Sequence, residues 1–117
     1  MGEHTGDSLR DLAKSTRAFY ARFEVAPETQ LQGFITNFNE EVFELVQAAL
    51  EGTDKRHIAE EAADVFVTAI GVCFASGIEI DQIVEQVYAV AAKNDAKSHE
   101  THVVKDGKIR RRVNIQR

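Results

Sequence analysis

The sequence predicts an all-α protein, a four-helix bundle with a short basic C-terminal tail or hairpin. Three observations support this fold class: apolar residues recur with helical spacing in four long segments, proline occurs once, and Gly52 and Gly77 stand where this spacing breaks. We expect a single domain over residues 1–117, with a helical core at about 7–97. The expected helices are approximately 7–23, 27–50, 54–76 and 80–97, followed by a basic tail at about 101–117.

Residues at the segment ends support these boundaries. Pro27 suits a first helical turn, whereas Gly52 and Gly77 suit helix C-terminal caps. Asp106-Gly107 is a tight-turn pair, and the surrounding stretch HVVKDGKIRRRV therefore predicts a short hairpin.

Composition and charge restrict the class of protein. The chain is 44% hydrophobic and 28% charged, which is typical of a soluble globular domain. No apolar run approaches the roughly 20 residues that span a bilayer, and the first ten residues lack the core of a signal peptide. A single cysteine, Cys73, allows no internal disulfide. We therefore expect a cytoplasmic protein that does not associate with membranes.

The charge is unevenly distributed along the chain. From Lys105 onward the chain has six Lys and Arg residues and one acid, so this tail has a net charge of +5. Residues 1–104 have a net charge of −10, which gives −5 for the whole chain. An acidic body argues against binding to nucleic-acid polymers. The basic tail is either a solvated terminus or a segment that contacts phosphate groups.

The second predicted helix carries two acids at the border of an apolar stripe. Glu41 and Glu44 lie one turn apart at the edge of this stripe, whereas Glu40 points outward. The stripe consists of Leu31, Phe34, Ile35, Phe38, Val42, Leu45, Val46 and Ala49.

The third predicted helix is apolar around most of its circumference. Its main apolar face is formed by Ile58, Ala62, Val65, Phe66, Ala69 and Cys73, and Val67, Ile70 and Phe74 extend it. A narrow polar strip remains, formed by His57, Glu60, Glu61, Asp64 and Thr68. Such a helix is normally central and buried, so we expect a homo-oligomer that covers it and a polar strip that faces a specific ligand.

Four acids on these two helices form a candidate metal site. Because a short turn joins the helices, they should pack antiparallel and bring together Glu41, Glu44, Glu61 and Asp64. Converging carboxylates repel each other, and the hard cations Mg²⁺ or Mn²⁺, which prefer oxygen ligands, would neutralise them. Zinc is disfavoured because the cluster has no cysteine and only His57 nearby. Either acidic pair alone would typically be a solvated helix face.

This pattern resembles a known family. The spacing Glu41-x-x-Glu44, sixteen residues, Glu61-x-x-Asp64 resembles the ExxE…ExxD signature of the MazG-like all-α nucleotide pyrophosphohydrolases. The stretches EEVFELVQA and EEAADVF resemble the family's sequence patterns around those motifs, EE-x-x-EL-x-x-A and EE-x-ADV. AFYARFEVAP, AKNDAK and VKDGKIRR resemble segments of the phosphoribosyl-ATP pyrophosphohydrolase-like branch. The resemblance extends from about residue 17 to residue 112.

The resemblance implies a reaction and an assembly. Members hydrolyse a nucleoside triphosphate or related nucleotide between the α and β phosphates, giving a monophosphate and pyrophosphate, and they act as dimers or dimers of dimers. It implies that the four acids hold Mg²⁺, with Mn²⁺ as a substitute, and Glu40 beside them is the candidate for accepting a proton.

Further candidate contacts surround this cluster in the sequence. Candidates for binding phosphate are Lys93, Asn94, Lys97 and Arg110. For the lysines, the alternative is a cationic helix end that the helix dipole favours. Asn37 and His57 stand where many relatives have lysine, which makes them candidate substrate contacts.

Two alternatives remain open from the sequence. The substrate could be another nucleotide, such as dUTP, a modified nucleotide or phosphoribosyl-ATP. The chain could instead be a non-catalytic helical oligomer that binds a partner, although the presence of all four ligand-type acids disfavours this class.

Overall fold

The computed structural model of the chain describes residues 6–113. It confirms the predicted all-α class, with four long helices and a short C-terminal hairpin. The elements are α1 (Ser8–Arg22), a 3-10 turn (Pro27–Thr29), α2 (Leu31–Glu51), α3 (Lys55–Ala75), α4 (Ile80–Asp95), β1 (His102–Lys105) and β2 (Lys108–Arg111). Among the described helices, none is long and apolar enough to cross a membrane.

Capping residues fix the starts of α1 and α3. The side chain of Asp7 accepts a hydrogen bond from the Arg10 backbone N–H at 3.1 Å, and Asp54 does the same for the His57 N–H at 3.1 Å. Gly52 ends α2 in the left-handed conformation, at φ 65°, which glycine adopts without a Cβ clash. The turn between α2 and α3 is therefore short, and the two helices pack against each other.

Two predicted helix boundaries are wrong. Pro27 begins the separate 3-10 turn instead of the second long helix, because Gln30 adopts φ −130° and ψ 28° and interrupts the helical backbone. The fourth helix ends at Asp95 instead of residue 97. The Lys97 N–H instead closes a turn onto the Asn94 carbonyl at 3.1 Å.

The described chain divides into two compact units, and the division falls within α4. The first unit extends to Val84 and the second begins at Glu85. The expectation of a single domain over 1–117 stays a prediction.

The core of the first unit lies between α1, α3 and the start of α4. Its buried residues are Ala13, Ile70, Phe74 and Ile83, and partly buried residues pack around them. Phe74 is 1% exposed, and the Arg17 guanidinium lies over its ring, 4.1 Å from the centroid. Among the described residues, Phe74 is the largest side chain that is fully buried.

The buried side of α3 differs from the predicted apolar face. Phe66 and Ala69, predicted as part of that face, are exposed, whereas Thr68 of the predicted polar strip is buried. The Thr68 hydroxyl donates to the Asp64 carbonyl at 3.0 Å, so its burial leaves no unpaired donor. Gly71 allows Tyr20 and Phe34 to approach this side of α3 closely, because a Cβ there would lie 2.7 Å from the Tyr20 Oη.

The second unit contains the rest of α4 and the hairpin. Strands β1 and β2 pair antiparallel, with Lys105 opposite Lys108 around the Asp106-Gly107 turn. Both turn residues have positive φ, at 52° and 75°, as a type I′ hairpin turn requires. This confirms the predicted hairpin. Arg117 of the predicted basic tail lies outside the described residues.

Candidate metal and nucleotide site

Three of the four predicted acids converge where α2 faces α3. Glu41 of α2 and the α3 residues Glu61 and Asp64 each offer a carboxylate oxygen, and these oxygens lie within 4.8 Å of one another. Two oxygens on opposite sides of a Mg²⁺ ion, each about 2.1 Å from it, are about 4.2 Å apart. Small side-chain adjustments are therefore enough for all three carboxylates to share one such ion.

Two oxygens of this group are buried without a hydrogen-bond donor. They are Oε2 of Glu41 and Oε2 of Glu61. A buried carboxylate oxygen without a partner is unfavourable unless a donor or a cation satisfies it. An all-oxygen donor set with two unpaired members fits a hard divalent cation.

The pKa shifts of the two partly buried acids, Glu41 and Glu61, agree with this arrangement. The pKa of Glu41 is raised, first because burial removes water from its carboxyl and then because Glu44 and Asp64 are negatively charged. The pKa of Glu61 is raised by burial and by the charge on Glu44. His57 partly opposes that rise, since its Nε2 lies 3.7 Å from Glu61 Oε1.

Glu44 lies outside the group of three. It is exposed, but it lines a cavity of about 340 Å³ together with His57 and Glu61. Its negative charge also raises the pKa values of Glu41 and Glu61. Glu44 is therefore within electrostatic reach of the cluster, and its role as a fourth ligand stays a prediction.

Glu40 and Asn37 lie beside the cluster on α2. Glu40 is exposed and lines a cavity of about 400 Å³ with Glu44. Asn37 stands one helical turn before Glu41 and lines a larger cavity of about 620 Å³. The functions of both residues remain predictions.

The predicted phosphate-binding residues all belong to the second unit. Asn94 and Lys97 line a cavity of about 570 Å³, and Lys97 Nζ donates to Asn94 Oδ1 at 3.0 Å. Lys93 is exposed in the last turn of α4, and Arg110 is exposed on β2.

His102 lines the same cavity as Asn94 and Lys97, and sequence reasoning missed it. Its pKa is lowered by burial and then by the positive charges of Lys97 and Arg111. Lys97 in the cavity wall and Arg111 near His102 thus place positive charge at this cavity, which favours anions.

Sequence reasoning also missed the composition of the 620 Å³ cavity, here called the aromatic cavity. Its walls include Phe19, Phe23, Glu24, Gly33 and Phe34, along with Asn37. The signal for this cavity in the sequence is the aromatic run FYARF at the end of α1.

Comparison with known proteins decides the family. A model of the phosphoribosyl-ATP pyrophosphohydrolase family matches residues 14–91. The chain belongs to this family. Comparisons with curated proteins and with solved structures gave no match.

Family membership makes this protein a pyrophosphohydrolase, a hydrolase acting on phosphoric anhydrides, within the MazG-like superfamily. The matched range contains the acidic cluster, Glu40, Asn37 and His57. It ends before Lys93, so the predicted phosphate-binding residues lie beyond it.

The raised pKa values predict a pH dependence of the metal-free protein. Because folding favours the protonated carboxyls of Glu41 and Glu61, the native state binds more protons than the unfolded state above their ordinary value of 4.5. The free energy of unfolding should therefore fall as pH rises through the window between 4.5 and the raised values.

Glu41→Gln isolates this effect from the other carboxyls. In EDTA, its Tm should exceed that of the wild type by a margin that grows from pH 4.5 to pH 7. Glu60→Gln, which removes an exposed acid of α3, is the control and should show no such trend. A margin that does not change with pH would contradict the coupling of these acids.

Proposed function

We propose that the protein hydrolyses a nucleoside triphosphate between its α and β phosphates in a Mg²⁺-dependent reaction that releases a nucleoside monophosphate and pyrophosphate. The convergence of Glu41, Glu61 and Asp64, with two buried oxygens unpaired, supports this proposal most directly. A triphosphate brings several negative charges to an already acidic cluster. Binding it there would require a divalent cation to neutralise the repulsion between phosphates and carboxylates.

The chain's own residues then have separate tasks. Glu41, Glu61 and Asp64 would hold the ion, and Glu44 would be the fourth ligand. Bound Mg²⁺ supplies charge neutralisation for the phosphates and lowers the pKa of coordinated water. Glu40 lies next to Glu41 but outside the group of three, so its carboxylate remains available to accept the proton of the attacking water.

The cationic residues of the second unit, Lys93, Lys97 and Arg110, are proposed to bind phosphates of the nucleotide. If Arg110 contacts them, Arg110→Gln should raise KM about three- to tenfold while kcat stays within about twofold, because a contact to an exposed phosphate binds ground state and transition state alike. Steady-state kinetics of pyrophosphate release test this expectation. Lys108→Gln, a neighbouring exposed cation on β2, is the matched control. An unchanged KM in Arg110→Gln would contradict the phosphate contact and favour the alternative that Arg110 belongs to a solvated terminus.

We also propose that the protein is a homo-oligomer. Phe43, Val46 and Leu50 follow each other along α2 and are 63%, 46% and 77% exposed, and Phe66 of α3 is 60% exposed. Because this much apolar surface is unfavourable in water, a second copy covering it would stabilise the protein. Light scattering at micromolar concentration should give the mass of a dimer or tetramer, and a monomeric mass would contradict the proposal.

A second candidate substrate is phosphoribosyl-ATP, because the matching family is described by its action on that compound. It presents the same triphosphate chain to the acidic cluster. A dUTPase-type activity has no comparable observation in its favour. A non-catalytic helical oligomer is disfavoured by the family membership of the chain.

The proposal is tested by a substrate panel. Nucleoside triphosphates, dUTP and phosphoribosyl-ATP are each incubated with the protein in Mg²⁺ or in EDTA, and pyrophosphate and orthophosphate are quantified separately. We expect pyrophosphate only, and only with Mg²⁺ or Mn²⁺. Release of orthophosphate, full activity in EDTA, or no hydrolysis of any compound would each overturn it.

A further inference from the structure

The aromatic cavity lies directly beside the acidic cluster on α2. Gly33 and Asn37 line the cavity, and Glu41 and Glu44 continue the same face of the helix at intervals of three or four residues. Asn37 and Glu41 are about 6 Å apart along the helix axis. A ligand with its phosphates at Glu41 can therefore reach Asn37 and Gly33 with its next chemical group.

The walls of the cavity suit a flat ring. Phe19 and Phe23 lie edge to face with centroids 5.4 Å apart, and both remain exposed. Phe34 forms another edge-to-face pair with Tyr20 at 4.9 Å. Exposed aromatic rings provide a stacking surface for bases. Gly33 leaves room beside them, since a Cβ there would meet only Gln30 Oε1, at 4.0 Å.

Glu24 occupies a backbone position that usually belongs to glycine. It follows the last turn of α1, where its N–H donates to the Ala21 carbonyl and the Val25 N–H donates to the Tyr20 carbonyl, each at 3.0 Å. These two bonds form a Schellman motif, in which glycine is preferred because the residue is left-handed. Glu24 adopts φ 57° there. A non-glycine residue at such a position, in the wall of a cavity, indicates a role for its side chain.

We propose that the aromatic cavity is the base-binding site of this enzyme and that it selects bases with an exocyclic amino group. The Glu24 carboxylate can only accept hydrogen bonds when ionised, so it pairs with an amino group and repels a carbonyl. The Asn37 amide donates and accepts, and it pairs with the adjacent ring nitrogen and amino group. Adenine, cytosine and guanine carry such an amino group, whereas uracil and thymine do not. The inference rests on the proposed function, because it uses the phosphate position at Glu41.

The test compares kcat/KM for ATP, CTP and GTP with that for UTP and dTTP. The wild type should favour the amino-bearing bases by tenfold or more, as expected for one or two base contacts. Glu24→Gly should reduce this ratio about tenfold. Its Tm should equal or exceed the wild-type value, because glycine suits the left-handed position. Glu28→Gln, an exposed acid of the neighbouring 3-10 turn that does not line the cavity, is the control and should keep the wild-type ratio.

A second variant fills the cavity without disturbing the backbone. Gly33→Leu should fold, since leucine is a better helix former than glycine and the position is open. It should raise KM at least tenfold for every base. Equal wild-type rates for all bases, a Glu24→Gly variant that keeps its preference, or an unchanged KM in Gly33→Leu would overturn the proposal.

A binding experiment separates this inference from the proposed reaction. AMP, CMP and UMP, which carry no anhydride bond to hydrolyse, are titrated in Mg²⁺ into the wild type and Glu24→Gly, with calorimetry as the readout. If no nucleotide is hydrolysed but AMP and CMP bind more tightly than UMP, the proposed reaction fails and the base site stands. If pyrophosphate is released equally from all bases and the three monophosphates bind alike, the reaction stands and the base site fails.

Discussion

Asp64→Asn is expected to lower turnover by roughly a hundredfold or more. Asp64 offers one of the three converging oxygens, and an amide keeps the size of the carboxylate while removing its charge. If the ion is bound less tightly, the attacking water and the phosphate are positioned less accurately. The decrease in kcat should therefore be larger than the change in KM. Pyrophosphate release at saturating nucleotide measures this effect.

The same variant makes an opposite prediction for the stability of the metal-free protein. The charge of Asp64 raises the pKa of Glu41, so removing that charge relieves repulsion within the cluster. In EDTA, Asp64→Asn should therefore be at least as stable as the wild type. Glu60→Gln, on the same helix but outside the group, should leave both turnover and stability near wild type. Wild-type turnover in Asp64→Asn, or unfolding without metal, would remove Asp64 from the ligand set.

Phe74→Ala is expected to lower the free energy of unfolding by about 3–5 kcal/mol. The Phe74 side chain is 1% exposed, and its loss leaves a cavity between α1 and α3 while removing the ring beneath Arg17. In a domain of this size such a change lowers Tm by roughly 10–20 °C. Thermal denaturation at fixed protein concentration measures it.

Phe66→Ala, on the same helix, is the matched comparison for Phe74→Ala. Its ring is 60% exposed, so it adds little to the core of a single chain. If Phe66 lies at the proposed interface between copies, Phe66→Ala should weaken association by light scattering and lower Tm more at low protein concentration. A loss of stability in Phe66→Ala as large as in Phe74→Ala, and independent of concentration, would contradict this assignment of core and surface.

Local signals in the sequence determined the helices and the acidic motif. The Asp54 cap and the left-handed Gly52 are short-range features, and they set the turn that places α2 beside α3. Helical periodicity then puts Glu41 at the edge of one helix and Glu61 and Asp64 on one side of the next. The prediction of the hairpin succeeded for the same reason, because an Asp-Gly pair specifies its turn within two residues.

The buried side of α3 depended on distant residues. Its apolar side chains surround most of the helix, so periodicity could not choose among the sides, and the predicted face included Phe66. The choice follows from Gly71, whose missing side chain admits Tyr20 and Phe34. Those residues lie about 50 and 40 positions earlier in the chain, and a pattern read over one or two turns does not include them.

The sequence by itself determined the fold class, the family and the candidate metal-binding acids, because helical periodicity and the two acidic motifs are patterns contained within single helices. Only the tertiary structure decided which acids meet, that Glu41 and Glu61 carry unpaired buried oxygens, and that an aromatic cavity adjoins them. Burial and desolvation depend on what packs against a side chain from elsewhere in the chain. The cavity likewise combines residues of α1, the 3-10 turn and α2, which only the packed helices bring together.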